Sequence, residues 1–190
     1  LSHLKNMTPV DESLLLQKLR ETSTREAAFS TLVSTYQERL YWHIRGMVMI
    51  HEDADDVLQN TFIKVFRHID SFKGESKLYT WMYRIATNEA LTHLKKSNRM
   101  IEQSIDKVDT ALTQRLKADP YFDSTRAQDN LIEILSTLPQ QQRIIFSMKY
   151  FQNLKLKEIA EALDLSLGGV KSSYHLAQKK IKNRLSHKTF

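Results

Sequence analysis

The chain reads as an all-α protein: two small helical domains, residues 1–98 and 127–190, joined by a flexible linker over 99–126, with a helix-turn-helix in the second domain. Three observations predict this. Four glycines and three prolines in 190 residues are too few turn formers for a strand-rich architecture. Apolar residues recur every three or four positions through most of the chain, the period of a helix face. That period fades over residues 98–126, where polar residues dominate, while a hydrophobic fraction of 41% argues against wholesale disorder.

The first helix opens with Thr8 as N-cap and Pro9 at its first position. Asp11 and Glu12 complement its dipole, and Leu15, Leu16 and Leu19 form its stripe. A second helix follows Ser23 or Thr24, with Phe29, Leu32, Val33, Tyr36, Leu40, Ile44 and Met47 at helical spacing and Gly46 as a weak point near its end. The third begins in the acids Glu52, Asp53, Asp55 and Asp56, and buries Val57, Leu58, Thr61, Phe62, Val65, Phe66 and Ile69. After a break at 70–76, which holds Gly74, a fourth helix from about Lys77 to Ser97 turns Leu78, Trp81, Met82, Ile85, Ala90, Leu91 and Leu94 inward. Asp119-Pro120 marks a helix stop within the linker.

The second unit starts near Ala127 with the stripe Leu131, Ile132, Leu135 and Leu138, ended by Pro139. A helix with Ile144, Ile145, Met148, Tyr150 and Phe151 follows, then a short one with Leu156, Ile159, Ala160 and Leu163. Leu165-Ser166 connects it to a final helix lined by Val170, Tyr174, Ala177, Ile181 and Leu185. The last two helices meet the needs of a helix-turn-helix. Ala160 is small enough to let the helices cross, Asp164 occupies the left-handed turn position that glycine usually fills, and Ser166 caps the second helix.

Charge supports a polyanion partner. The net charge is +6, Asp164 is the last acidic residue, and Lys171, Lys179, Lys180, Lys182, Arg184 and Lys188 follow it. A recognition helix enters the major groove with its first turns reading base edges. Here Lys171, Ser172, His175 and Gln178 lie opposite the apolar stripe, and Lys179, Lys180 and Lys182 can neutralise phosphates. In the first domain aromatic and basic residues interleave: Phe72, Tyr79, Trp81 and Tyr83 lie close to Lys73, Lys77 and Arg84. That mixture suits unpaired strands, since bases stack on rings while cations track the backbone. Arg84, Asn88, Thr92 and Lys95 follow one ridge of the fourth helix. Trp81 is expected in the core rather than on DNA.

The segment LPQQQRIIFSMKYFQNLKLKEIAEALDLSLGGVKSSYHLAQKKIKNRL resembles the promoter-binding C-terminal domain of the extracytoplasmic-function (ECF) group of the bacterial sigma-70 family. HEDADDVLQNTFIKVFRHIDSFKGESKLYTWMYRIATNEALTHLKK resembles the same group's N-terminal domain, through its acidic start with DDVLQ and TF, its F-x-G loop, its TW-x-YRIA run and the asparagine that follows. The resemblance implies a subunit that binds RNA polymerase core and directs promoter-specific initiation. It assigns Phe72, Lys73, Lys77, Arg84, Asn88, Thr92 and Lys95 to the −10 element, the 72–77 loop with Asn88 forming a pocket for a flipped-out base. It assigns Lys155, Lys171, Ser172, Ser173, His175 and Lys179 to the −35 element. It places Asp56, Gln59, Asn60, Ile63 and Lys64 on the polymerase clamp. Many members of the group are controlled by an anti-sigma factor, a further partner the resemblance implies. The chain departs from the group at Leu167, Gly169 and Ser173, where Glu, Thr and Arg are common, at Leu176, often Arg, and at Asn60, usually Glu.

No cofactor, metal or catalytic role is expected. The absence of cysteine excludes disulfides and thiolate catalysis, and no phosphate-cradling loop, HExxH or G-x-S-x-G is present. The acids around His51 read as first-turn residues favoured by the helix dipole rather than ligands. No apolar run approaches the roughly 20 residues of a membrane span, and Leu1–Val10 does not read as a signal peptide, so a cytoplasmic protein without membrane insertion is expected. Two other readings compete: a helix-turn-helix regulator acting without a sigma role, and a catalytic helical domain using Asp53 and Asp56.

Overall fold

The computed structural model describes residues 9–98, 110–123 and 127–187, and all its regular structure is helical. Thr8, proposed as the first N-cap, lies outside the described residues, as does the side chain of Asp11.

Helices α1 (Pro9–Arg20), α2 (Arg25–Val48), α3 (His51–His68) and α4 (Leu78–Asn98) close the first core. The 24-residue α2 is its axis: Leu32, Tyr36, Leu40, Ile44 and Met47 are buried along one stripe. Ala54, Val57, Thr61, Phe62 and Val65 of α3 pack on it, and Leu78, Met82, Ala86 and Ala90 of α4 complete the layer. Edge-on contacts of Phe29 with Phe62 and Phe66, centroids 6.3 and 4.9 Å apart, close the end near α1. Met49 stops α2 with φ 75°, its N–H bonded to Arg45 O at 2.9 Å. A non-glycine residue at positive φ is strained, and complete burial of the Met49 side chain holds it there.

Helix α5 (Thr110–Ala118) falls within the stretch expected to link the domains. Its Leu112 and Leu116 are buried in a second cluster with Ile132 and Leu135 of α6 (Ala127–Ser136). It stops at Asp119-Pro120, where the sequence places a break. Helices α7 (Gln140–Gln152), α8 (Leu156–Leu163) and α9 (Leu167–His187) form the rest of the second half.

The two halves touch. Ile144, Ile145, Phe146, Ser147 and Met148 are all buried, so α7 has no water-facing side through this turn. A helix apolar all round must be covered all round, and α2 supplies one covering face, Ile144, Ile145 and Met148 sharing a single cluster with the first core. Gly46 is not the weak point expected of it, because α2 continues to Val48. Its missing side chain makes room for α7: a Cβ there would stand 2.9 Å from Ser147 Oγ and 3.0 Å from the Phe151 ring. Ser147 Oγ donates to Gly46 O at 2.9 Å.

Asp119 pins the end of α5 to the same corner. Its Oδ2 lies 2.8 Å from Arg45 Nη2 and accepts the His51 N–H at 2.9 Å, and its Oδ1 accepts the Tyr121 N–H at 3.0 Å. The Arg45 side chain is 1% exposed, and its approach to Asp119 is too poorly angled for a directed hydrogen bond. Charge rather than a fork geometry therefore holds the pair. Burial opposes ionisation of Asp119, but the two backbone N–H groups and the guanidinium outweigh it and hold its carboxyl below the ordinary value.

Candidate nucleic-acid interface

The α8–α9 corner has the geometry of a helix-turn-helix. Lys155 N–H is accepted by Glu158 Oε2 at 2.7 Å, which fixes the start of α8. At its end Asp164 adopts φ 53°, ψ 47°, Leu165 N bonds back to Ala160 O at 2.9 Å, and Asp164 N to Glu161 O at 3.4 Å. This is a Schellman closure with aspartate in the place glycine favours. Ser166 Oγ accepts the Gly169 N–H at 3.1 Å, the cap that starts α9. Ile159 and Ala160 are buried at the crossing, against Val170.

That packing settles which way α9 faces. Val170, Ala177 and Ile181 are buried. Lys171, Ser172, His175 and Lys179 are exposed on the other side, Ser173 is half-buried at its margin, and Lys155 is exposed at the start of α8. Leu176 is 47% exposed among these polar groups. Lys180 Nζ donates to Gln142 Oε1 at 3.2 Å and so buttresses α9 against α7.

On α4, Arg84, Asn88, Thr92 and Lys95 are all exposed and form the expected ridge. Thr92 spends its hydroxyl on Asn88 O at 2.8 Å, which leaves the Asn88 amide as the hydrogen-bonding group of that turn. The loop from Phe72 to Lys77 precedes α4. Gly74 takes φ +74°, and the Lys73 and Lys77 side chains are exposed. Phe72, grouped with the −10 residues, is instead only 4% exposed and packs against the half-buried Trp81, centroids 5.4 Å apart. Its ring roots the loop in the core, because burying a large apolar face outweighs leaving it on a wet surface. Beside the loop a cleft of about 730 Å³ is lined by Glu12, Arg39, Lys77, Tyr79, Phe151 and others. Arg39 and Lys77 both stand 5.9 Å from the centre of the Tyr79 ring.

Sequence reasoning missed the part α1 plays here. Glu12 Oε1 accepts the Leu78 N–H at 2.6 Å, and Arg20 Nη2 donates to Phe72 O at 3.0 Å. No sequence pattern announces contacts between residues 66 and 52 positions apart.

On α3, Asp56, Gln59, Asn60, Ile63 and Lys64 are exposed, Ile63 at 48%. Lys64 also pairs with Glu89 of α4. The acids at the start of α3 diverge around the helix: Asp55 meets His51 Nε2 and Asp53 meets His93 Nε2, each at 3.2 Å. No group of three or more possible metal ligands gathers among the described residues, and no helix there is long and apolar enough to cross a membrane.

A helix-turn-helix with an outward cationic face, behind a helical unit with an exposed polar ridge, defines a DNA-binding protein of the transcription machinery. Two family models match it: sigma-70 region 2 over residues 32–100 and sigma-70 region 4 over residues 128–181. An ECF RNA polymerase sigma-E factor from Haemophilus influenzae is 30% identical over 166 residues, 83% of this chain and 87% of that protein. The sigma-E factor of Escherichia coli K12 is 28% identical, covering 92% of this chain and 94% of that one. The chain belongs to the ECF group of the sigma-70 family. Two solved structures share the fold at 20% identity: CnrH in complex with the cytosolic domain of CnrY, with a TM-score of 0.56 over 93% of this chain and 97% of CnrH, and the sigma factor RpoE of Bartonella quintana in complex with the anti-sigma factor NepR, with 0.59 over 83% and 96%.

Proposed function

We propose that this chain is the initiation subunit that carries core RNA polymerase to its promoters, with α9 reading the duplex −35 element and the 72–77 loop and α4 ridge capturing unpaired bases of the −10 element. The observation that carries this is the pairing of two outward polar faces on one chain, Lys171–Lys179 on α9 and Arg84–Lys95 on α4, each set by a buried stripe behind it. Residues 1–98 form the polymerase- and −10-binding domain, 99–126 the linker, and 127–190 the −35-binding domain. At −10, Lys73, Lys77, Arg84 and Lys95 track phosphates, Asn88 recognises a base by donating and accepting at once, Thr92 backs Asn88, and Phe72 anchors the loop. At −35, Lys171, Ser172 and His175 meet base edges, and Lys155, Ser173 and Lys179 the backbone.

The clamp surface is Asp56, Gln59, Asn60, Ile63 and Lys64. The protein performs no chemistry of its own and works in the cytoplasm. An anti-sigma factor is a further partner, a reading supported by the partners in the CnrH and Bartonella complexes. Linking two DNA contacts in one subunit raises specificity, since the second becomes intramolecular once the first is made. Open-complex formation tests the reading: added to core polymerase, the protein is expected to produce promoter-dependent initiation. Its failure across a genomic promoter library overturns the proposal.

A further inference from the structure

Helix α1 lies outside the residues matched to sigma-70 region 2, which begin at position 32. It nonetheless holds both ends of the loop assigned to −10 capture. Phe72 is the residue before the loop's exposed stretch and Leu78 the residue after it. Arg20 binds the carbonyl of the first and Glu12 the N–H of the second. Both side chains are charged, and hydrogen bonds with an ionised partner are the strong kind. Leu15 and Leu19, buried between the two contacts, fix α1 against the core, so the separation of the two anchor points is set by a rigid helix. Between them Lys73 and Lys77 project to solvent about Gly74. Leu16 and Arg20 also line a groove along Phe72, Lys73 and Gly74.

We infer that α1 is a strap that presets the −10-reading loop, with Glu12 and Arg20 as positioning residues for base selection; this rests on the function proposed above. A loop that must receive an unstacked base binds it best when its shape is formed beforehand, because the ordering cost is then met in folding rather than in binding. Neither residue need touch DNA. Their effect is on discrimination at the −10 element, not on the −35 contacts, which lie on α9.

The test uses holoenzyme reconstituted from core polymerase and full-length protein, with templates substituted one base at a time in the −10 and −35 elements. Open-complex yield gives a discrimination ratio for each position. With Glu12→Ala and Arg20→Ala combined, the ratio at −10 positions is expected to fall about tenfold, a change of roughly 1.4 kcal/mol, while ratios at −35 positions stay as in the wild type. Glu12→Gln, which keeps an acceptor, and Arg20→Lys, which keeps a donor, are expected to restore most of it. These two also serve if the double variant folds poorly, since each should show a smaller loss confined to −10. Unchanged −10 ratios, or equal loss at both elements, overturn the inference while leaving the proposed function standing. Wild-type holoenzyme that shows no −10 dependence overturns both.

Discussion

His43 makes the stability of this protein depend on pH in a way that can be worked through. It sits on α2, fully buried between α4 and α7, with its ring 5.1 Å from Tyr83 and 6.0 Å from Phe151. Thr87 Oγ1 gives its own proton to Tyr83 O, so it accepts from His43 Nε2, 3.0 Å away, and the imidazole is held neutral as the Nε2–H tautomer. Burial pushes its pKa down from 6.5 to about 3. The unfolded chain therefore binds a proton that the folded one refuses, and stability falls as pH drops through the window from 6.5 toward 3. At pH 5 the unfolded imidazole is already charged, and a deficit of about 1.5 pH units costs roughly 2 kcal/mol. Urea unfolding followed by circular dichroism at pH 7.5, 6.5, 5.5 and 5.0 reads this directly. His43→Gln keeps a donor toward Thr87 but cannot titrate, so its stability should change less over the same range by about 2 kcal/mol. A variant whose stability falls as steeply as the wild type refutes the reasoning.

Other outcomes follow from the same geometry. Arg45→Ala leaves the Asp119 carboxylate without its buried cation and should cost about 3–5 kcal/mol by urea unfolding. Gly46→Ala drives a methyl into Ser147 and Phe151 and should cost about 1–3 kcal/mol, measured the same way. Asp164→Gly relieves a left-handed aspartate and should raise stability by about 1 kcal/mol in thermal unfolding. Lys171→Ala should weaken holoenzyme binding to duplex −35 DNA and, where the lysine neutralises a phosphate, lower the salt-dependence slope by about 0.9.

The helix-turn-helix was the most legible part of the sequence, because its constraints are local. A small residue at 160, a left-handed position at 164 and a cap at 166 sit within seven residues, and each has the geometry expected of it. The outward face of α4 was equally legible, since a 3.6-residue period fixes what faces water once the stripe is known. Phe72 illustrates the limit. An aromatic among lysines reads as a stacking platform, and only the packing against Trp81 shows the ring turned inward. The junction of the halves was legible in part. The run Ile144-Ile145-Phe146 has too many apolar faces for a helix covered on one side, yet nothing in it names α2 as the cover. Arg45 and Asp119 gave no sign at all, because a charged residue in a sequence is presumed exposed until a distant partner is found.

The bare flank of α2 at Gly46 also has a temporal consequence. The serine that covers it lies 101 residues further along the chain. At ribosomal rates of about 5–20 residues per second, roughly 5–20 s pass between synthesis of the glycine and arrival of its cover. The first four helices can gather in that interval with one apolar flank still open, so the nascent chain is most exposed to unwanted association before α7 emerges.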